Sequence, residues 1–201
     1  DRDYFITRYR IPNYDTSLYG GIEEPFIATC KPMILSRAHD IISNYYDASI
    51  KNGTFTLGDR QSNRYRANNE IVSRVLHNEL LPFIEHVVGK KLRPTYTYVS
   101  YYVNGADLPP HTDRPDCEYT VSFLIDKSPS NAKWNIYVHT KPQPEKHHGR
   151  YSFVPPKDEC LALDIPKGGC IIFQGTRHIH YREPFEHDNY RILLLHYCSE
   201  K

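Results

Sequence analysis

From about residue 93 onward the chain is a succession of short apolar runs, rich in tyrosine and each closed by a turn signal. The runs are Thr95 to Val103, Glu118 to Ile125, Trp134 to His139, Cys160 to Leu163, Cys170 to Phe173, His178 to Tyr181 and Tyr190 to Tyr197. Asn104-Gly105, Pro109-Pro110, Pro142, Pro155-Pro156 and Lys167-Gly168-Gly169 separate them. Many short strands at such spacing predict a sandwich or jelly roll. The 17 tyrosines fit that reading, because Tyr both packs and hydrogen-bonds on a half-buried β surface.

Helical signals lie earlier, up to about residue 89. Ser36 to Ile50 carries an apolar stripe of Ile41, Ile42, Tyr45 and Tyr46, stopped by Asn52-Gly53. Asn68-Asn69 can cap a second helix running to Val88, which Pro82 should kink and Gly89 should end. The expected fold is therefore α+β and mainly β, in a single domain spanning residues 1–201. Residues 1–92 form a helical, substrate-side extension on one sheet, and residues 93–201 form the jelly-roll core.

Composition bounds the function. The chain has 39% hydrophobic residues and no apolar run near the roughly 20 residues a membrane span needs, so no membrane partner is expected. Asp1-Arg2-Asp3-Tyr4 lacks the basic-then-apolar opening of a signal peptide. The net charge of +1 gives no global attraction to nucleic acid, which is an unlikely partner. Local basic spots remain: Lys90-Lys91 with Arg93, Lys146 with His147, His148 and Arg150, and the basic-aromatic stretch Arg60, Arg64, Tyr65, Arg66. That last stretch precedes the second helix, where a lid could sit, although an exposed loop is the plainer reading. Five cysteines, an odd number without a Cys-x-x-Cys pair, argue against a disulfide framework and for a reducing, cytoplasmic compartment.

His111-Thr112-Asp113 is the chemistry-bearing motif. In an extended strand, residues i and i+2 face the same way, so an imidazole and a carboxylate can reach one metal ion. A third ligand from a distant strand would complete a facial triad with open positions, the arrangement that suits Fe(II). His178 and His180 share a face and both compete for that place, while His196 sits in an apolar strand as a core or supporting residue.

Around the motif, Tyr102 stands nine residues before His111, Gly169 opens an apolar strand, Pro184 follows His180 by four residues, and Arg191 starts the last strand. This ordered set resembles the prolyl-4-hydroxylase-like and AlkB-like branches of the 2-oxoglutarate/Fe(II) oxygenases. His180-Tyr181-Arg182-Glu183-Pro184-Phe185 also resembles a His-Trp-Arg-Glu-Pro-Phe run of bacterial and viral members. The resemblance covers roughly residues 95–197.

The resemblance implies Fe(II) held by His111, Asp113 and His180, which are then also the catalytic residues. It implies 2-oxoglutarate as cosubstrate, with ascorbate as a reductant, and hydroxylation of an unactivated C–H with release of succinate and CO2. It makes Arg191 the cosubstrate's carboxylate anchor, with Arg182 competing from the His180 face. Tyr102, and after it Tyr98 or Tyr96, is a candidate donor to the cosubstrate. Thr120 and Ser122 are candidate liners of the same pocket, although Val121-Ser122-Phe123-Leu124 lacks the second Tyr the family often carries there. A carboxylate at Asp113 favours hydroxylation over halogenation. The substrate class stays open among a peptidyl residue such as proline, an amino acid and a sugar. Two rival functions are a cupin-like metal enzyme without 2-oxoglutarate and a non-catalytic jelly-roll binding module.

Overall fold

A computed structural model describes residues 6–9, 26–31, 36–143 and 149–200. Lys146, His147 and His148 lie outside the described residues. The elements are, in order, β1 (Ile6–Arg8), β2 (Ile27–Cys30), α1 (Ser36–Lys51), β3 (Thr56–Leu57), β4 (Arg64–Asn68), α2 (Ile71–Glu79), α3 (Leu81–Val88), β5 (Leu92–Val103), β6 (Leu108–Thr112), β7 (Tyr119–Ser128), β8 (Ile136–His139), β9 (Gly149–Arg150), β10 (Cys160–Leu163), β11 (Cys170–Phe173), β12 (His180–Arg182) and β13 (Asn189–Ser199).

Two antiparallel sheets face one another. The larger has the order β1-β2-β11-β7-β13-β5-β4-β3, and the smaller the order β10-β8-β12-β6-β9. This is the expected jelly roll. Sheet residues alternate between two cores. Val121, Phe123, Leu193 and Leu195 point outward, onto Ile42, Tyr46, Ile84 and Val87 of the helices. Leu124, Ile171, Phe173 and Ile192 point inward and meet Trp134, Ile136 and Val138 between the sheets. The helices thus cover one sheet, as the pattern predicts, and leave the space between the sheets for a site.

Local chemistry sets the helix ends. Pro82 cannot donate the bond a continuous helix would need, so the expected long helix is two: α2 stops at Glu79 and α3 restarts at Leu81. Gly89 ends α3 in the left-handed conformation, at φ 80°. The cap of α2 is Glu70 and not the expected Asn68-Asn69: its carboxylate accepts from Val72 N and Ser73 N at 2.9 and 3.1 Å. Asn69 instead accepts from Thr97 N at 3.0 Å, tying α2 to β5.

The N-terminal half is less helical than its pattern. It supplies β1 and β2 beyond β11 and β3 and β4 beyond β5, so strands from both halves share the larger sheet. Cys30 and Cys170 are register partners across β2 and β11, both buried, with their thiols 3.1 Å apart. Among the described residues, no helix is long and apolar enough to cross a membrane.

Candidate active site

The register between β6 and β12 creates the centre. His111 and His180 are direct partners across the antiparallel pair. Their rings therefore leave the sheet side by side, with centroids 4.1 Å apart. Asp113 follows β6 by one residue and is tethered by its own N–H to Gly175 O at 2.8 Å. Its Oδ1 lies 3.5 Å from His111 Nε2 and 3.7 Å from His180 Nε2. All three ligand atoms fall within 4.8 Å of one another.

The remaining ring nitrogens are engaged. His111 Nδ1 donates to Pro109 O at 2.8 Å, and His180 Nδ1 donates to His178 O at 2.9 Å. Each bond fixes the tautomer that leaves an Nε2 lone pair aimed inward. Burial, then the neighbouring His111, pushes His180 down to about 3, so its imidazole is neutral and free to ligate. Burial alone would raise the Asp113 carboxyl, but His180 and His111 outweigh it and hold it well below the usual carboxylate range. Two imidazoles and one carboxylate, each oriented from behind, fit a divalent iron with open positions.

Behind the triad, Thr120 Oγ1 donates to Asp113 Oδ2 at 2.6 Å and lies 3.2 Å from His196 Nδ1. Thr120 lines the cavity, as expected, and its hydroxyl proton goes to the Asp113 carboxylate. Asp113, Cys117 and His196 also bring ligand atoms within 4.8 Å of one another. The Cys117 thiol, however, is pushed up by burial and then by Asp113, and it sits 2.9 Å from the Tyr96 hydroxyl, which disfavours a thiolate ligand. His178 does not line the cavity: it is fully buried, with its Nδ1 bonded to His139 O at 2.7 Å.

The triad opens into a cavity of about 790 Å³ between the sheets. Arg182 lines it, on the same strand and face as His180. Its guanidinium is 3% exposed and stacked over Trp134 and Tyr190, with ring centroids 4.6 and 5.2 Å away. Nη1 donates to Trp134 O, while Nη2 has no partner among the described residues. A buried cation without a counter-ion is costly, so this group calls for an anion in the cavity.

Arg191 does not reach that cavity, and the expectation that it anchors a cosubstrate is overturned. On β13, Ile192, Leu194 and His196 look into the space between the sheets, which turns Arg191 to the helix side. There it pairs with Asp47 at 3.0 Å, approaches Asp126 at 3.9 Å and covers the Tyr101 ring at 4.5 Å.

Arg64 is a buried lining residue that the sequence reading left in an exposed loop. It sits on β4, 4% exposed, with its Nε on Asp59 Oδ2 at 2.9 Å and its Nη1 on the Tyr102 hydroxyl at 2.7 Å. Tyr102 thus keeps its own proton to donate into the cavity. Tyr98 is committed elsewhere and donates to Asp59 Oδ2 at 2.6 Å. The legible signal was the alternation Arg64-Tyr65-Arg66, a period-2 pattern that places both arginines on one face.

No protein-family model matches the sequence. No curated protein matches it either. Solved structures do. The non-heme α-ketoglutarate-dependent carbocyclase SnoK from nogalamycin biosynthesis superposes with a TM-score of 0.66 at 12% identity, over 96% of this chain and 87% of that one. A Pseudomonas putida prolyl-4-hydroxylase gives 0.61 at 8% identity, over 87% and 93%. HygX from Streptomyces hygroscopicus, solved with nickel, 2-oxoglutarate and hygromycin B bound, gives 0.57 at 11% identity, over 86% and 82%. The chain therefore has the fold of the solved 2-oxoglutarate-dependent non-haem oxygenases, and its own triad lines the cavity between the two sheets.

Proposed function

We propose that the chain is an Fe(II)- and 2-oxoglutarate-dependent dioxygenase that hydroxylates an unactivated C–H of a small-molecule or peptidyl substrate, releasing succinate and CO2. The observation that carries this reading is one cavity holding both an oriented His111, Asp113, His180 set and the uncompensated Arg182 guanidinium. A metal site alone would fit many enzymes; a buried anion receptor on the same strand as a ligand fits a dicarboxylate cosubstrate.

In this reading His111, Asp113 and His180 would hold iron, which supplies oxidative decarboxylation of 2-oxoglutarate and activation of O2. Arg182 pairs with the far carboxylate of the cosubstrate and sets its depth. Tyr102, itself held by Arg64, donates a hydrogen bond to the cosubstrate from the opposite wall. Thr120 holds Asp113 in its ligating orientation. Phe173 packs edge-on against His180 at 4.7 Å and keeps water off that ring.

Succinate release in the presence of Fe(II) and 2-oxoglutarate tests the reading. Asp113→Ala and His180→Ala are expected to abolish release while keeping the wild-type circular dichroism spectrum. Normal release from either variant would refute the ligand set. Oxygen uptake indifferent to 2-oxoglutarate would favour a cupin-like enzyme instead.

A further inference from the structure

We propose that the substrate is a small molecule carrying a phosphate group, held at the cavity mouth by Arg60, Arg66, Arg114 and Arg150. This deepens the function proposed above and rests on it.

Charge in the cavity carries the inference. Among the described residues, its lining holds six arginines, Arg60, Arg64, Arg66, Arg114, Arg150 and Arg182, against two carboxylates, Asp59 and Asp113. The whole chain, by contrast, is nearly neutral at +1, so this excess is local. Asp59 neutralises Arg64. With iron and cosubstrate bound, the metal's two charges and Arg182 are balanced by Asp113 and the two carboxylates of 2-oxoglutarate. The loaded centre is then neutral, and four guanidinium charges are left over.

None of the four has a carboxylate within ion-pair distance among the described residues. Three are fixed by neutral oxygens. Arg66 Nε donates to Gly58 O at 3.1 Å, Arg114 Nη2 donates to the Tyr96 hydroxyl at 2.9 Å, and Arg150 donates to Arg60 O. Each keeps further N–H groups that can donate to a ligand. They come from separate places in the chain: Arg60 precedes β4, Arg66 lies on it, Arg114 follows Asp113, and Arg150 ends β9. Forked guanidinium groups converging from several elements match the geometry of a phosphate better than that of any neutral ligand.

A nucleic-acid strand is the less fitting carrier of phosphate. The arginines ring a cavity and do not form a stripe along the surface. The tyrosines beside them each have a face taken by a guanidinium, Tyr98 by Arg64 at 4.7 Å and Tyr96 by Arg114 at 5.0 Å, which leaves less room for stacking bases.

The test is calorimetric titration of protein loaded anaerobically with Fe(II) and 2-oxoglutarate, using glycerol phosphate, glycerate and glycerol as matched probes. Glycerol phosphate is expected to bind at least about tenfold tighter than glycerate, glycerol not at all, and binding should weaken with added salt. Arg60→Gln/Arg150→Gln, both at exposed positions, is expected to weaken glycerol phosphate about tenfold while leaving the 2-oxoglutarate affinity unchanged; Arg114→Gln is a second, independent variant. Equal binding of phosphate and carboxylate probes overturns the phosphate assignment. Affinity unchanged in both variants overturns the arginine site. Tighter binding of a single-stranded oligonucleotide than of glycerol phosphate overturns the small-molecule class. Failure of 2-oxoglutarate itself to bind counts against the proposed function and is read separately from the probe titrations.

Discussion

At the residue scale, Gly175 sets how closely the carboxylate ligand can be held. A Cβ built there would collide with Asp113 Oδ2, Thr120 Oγ1 and the Cys117 carbonyl at once. Gly175→Ala should therefore turn Asp113 away from the two imidazoles. Succinate release is expected to fall about a hundredfold, in line with the cost of a misplacement near 1 Å, with a smaller change in melting temperature. Arg182 and Arg191 separate by the same logic. On the proposed function, Arg182→Ala would leave a cosubstrate carboxylate buried without its cation, and the KM for 2-oxoglutarate should rise by at least about thirtyfold. Arg191→Ala breaks a half-exposed pair with Asp47 and should cost about 1 kcal/mol of stability with an unchanged KM. If Arg191→Ala moves the KM more, the anchor assignment is wrong. Three side chains of the triad were legible because His-x-Asp spacing and Pro184 after His180 are features of sequence order. The anchor was not. Which face an arginine takes depends on strand register, and a bulge between Arg191 and Ile192 against β7 interrupts that register.

At the scale of elements, the helix cover is pinned through few contacts. Glu70 gathers four donors: the N–H groups of Val72 and Ser73, the Tyr45 hydroxyl at 2.7 Å and the Tyr46 hydroxyl at 3.2 Å. One carboxylate thus caps α2 and binds it to α1. Glu70→Ala should cost about 2 kcal/mol, measured by denaturant unfolding, while Glu70→Gln retains most of that because an amide oxygen still accepts. The strands β5, β7, β10, β11 and β13 were readable from alternation and bracketing turns. β6 was hidden by Pro109-Pro110, which read as a turn although the pair lies within the strand. β4 was hidden by its charges: Arg64 and Arg66 look like solvated loop residues until their shared inward face is seen.

At the scale of the whole molecule, burial of histidines couples folding to pH. His77 is 4% exposed between α2 and β13, donating to His196 O at 2.8 Å, and burial pushes it down to about 4 from 6.5. The unfolded chain protonates this ring at higher pH than the folded one does. The stability it contributes is therefore complete above 6.5 and is lost as pH falls toward 4. Denaturant midpoints should drop across that window, and His77→Gln should flatten the drop. A midpoint that rises on acidification would contradict the burial assigned to this ring.

The pairing of His111 with His180 also has a mechanical side. These two residues face each other across the seam between β6 and β12, and Asp113 adds the segment around Gly175 through its own backbone. An ion held by all three would rivet two stretches of chain far apart in sequence, residues 111–113 and 175–180. Stripping it should therefore let the smaller sheet breathe, speeding amide exchange in β6 and β12 while the helix-covered sheet keeps its protection. Metal supply would then govern how long the folded chain lasts.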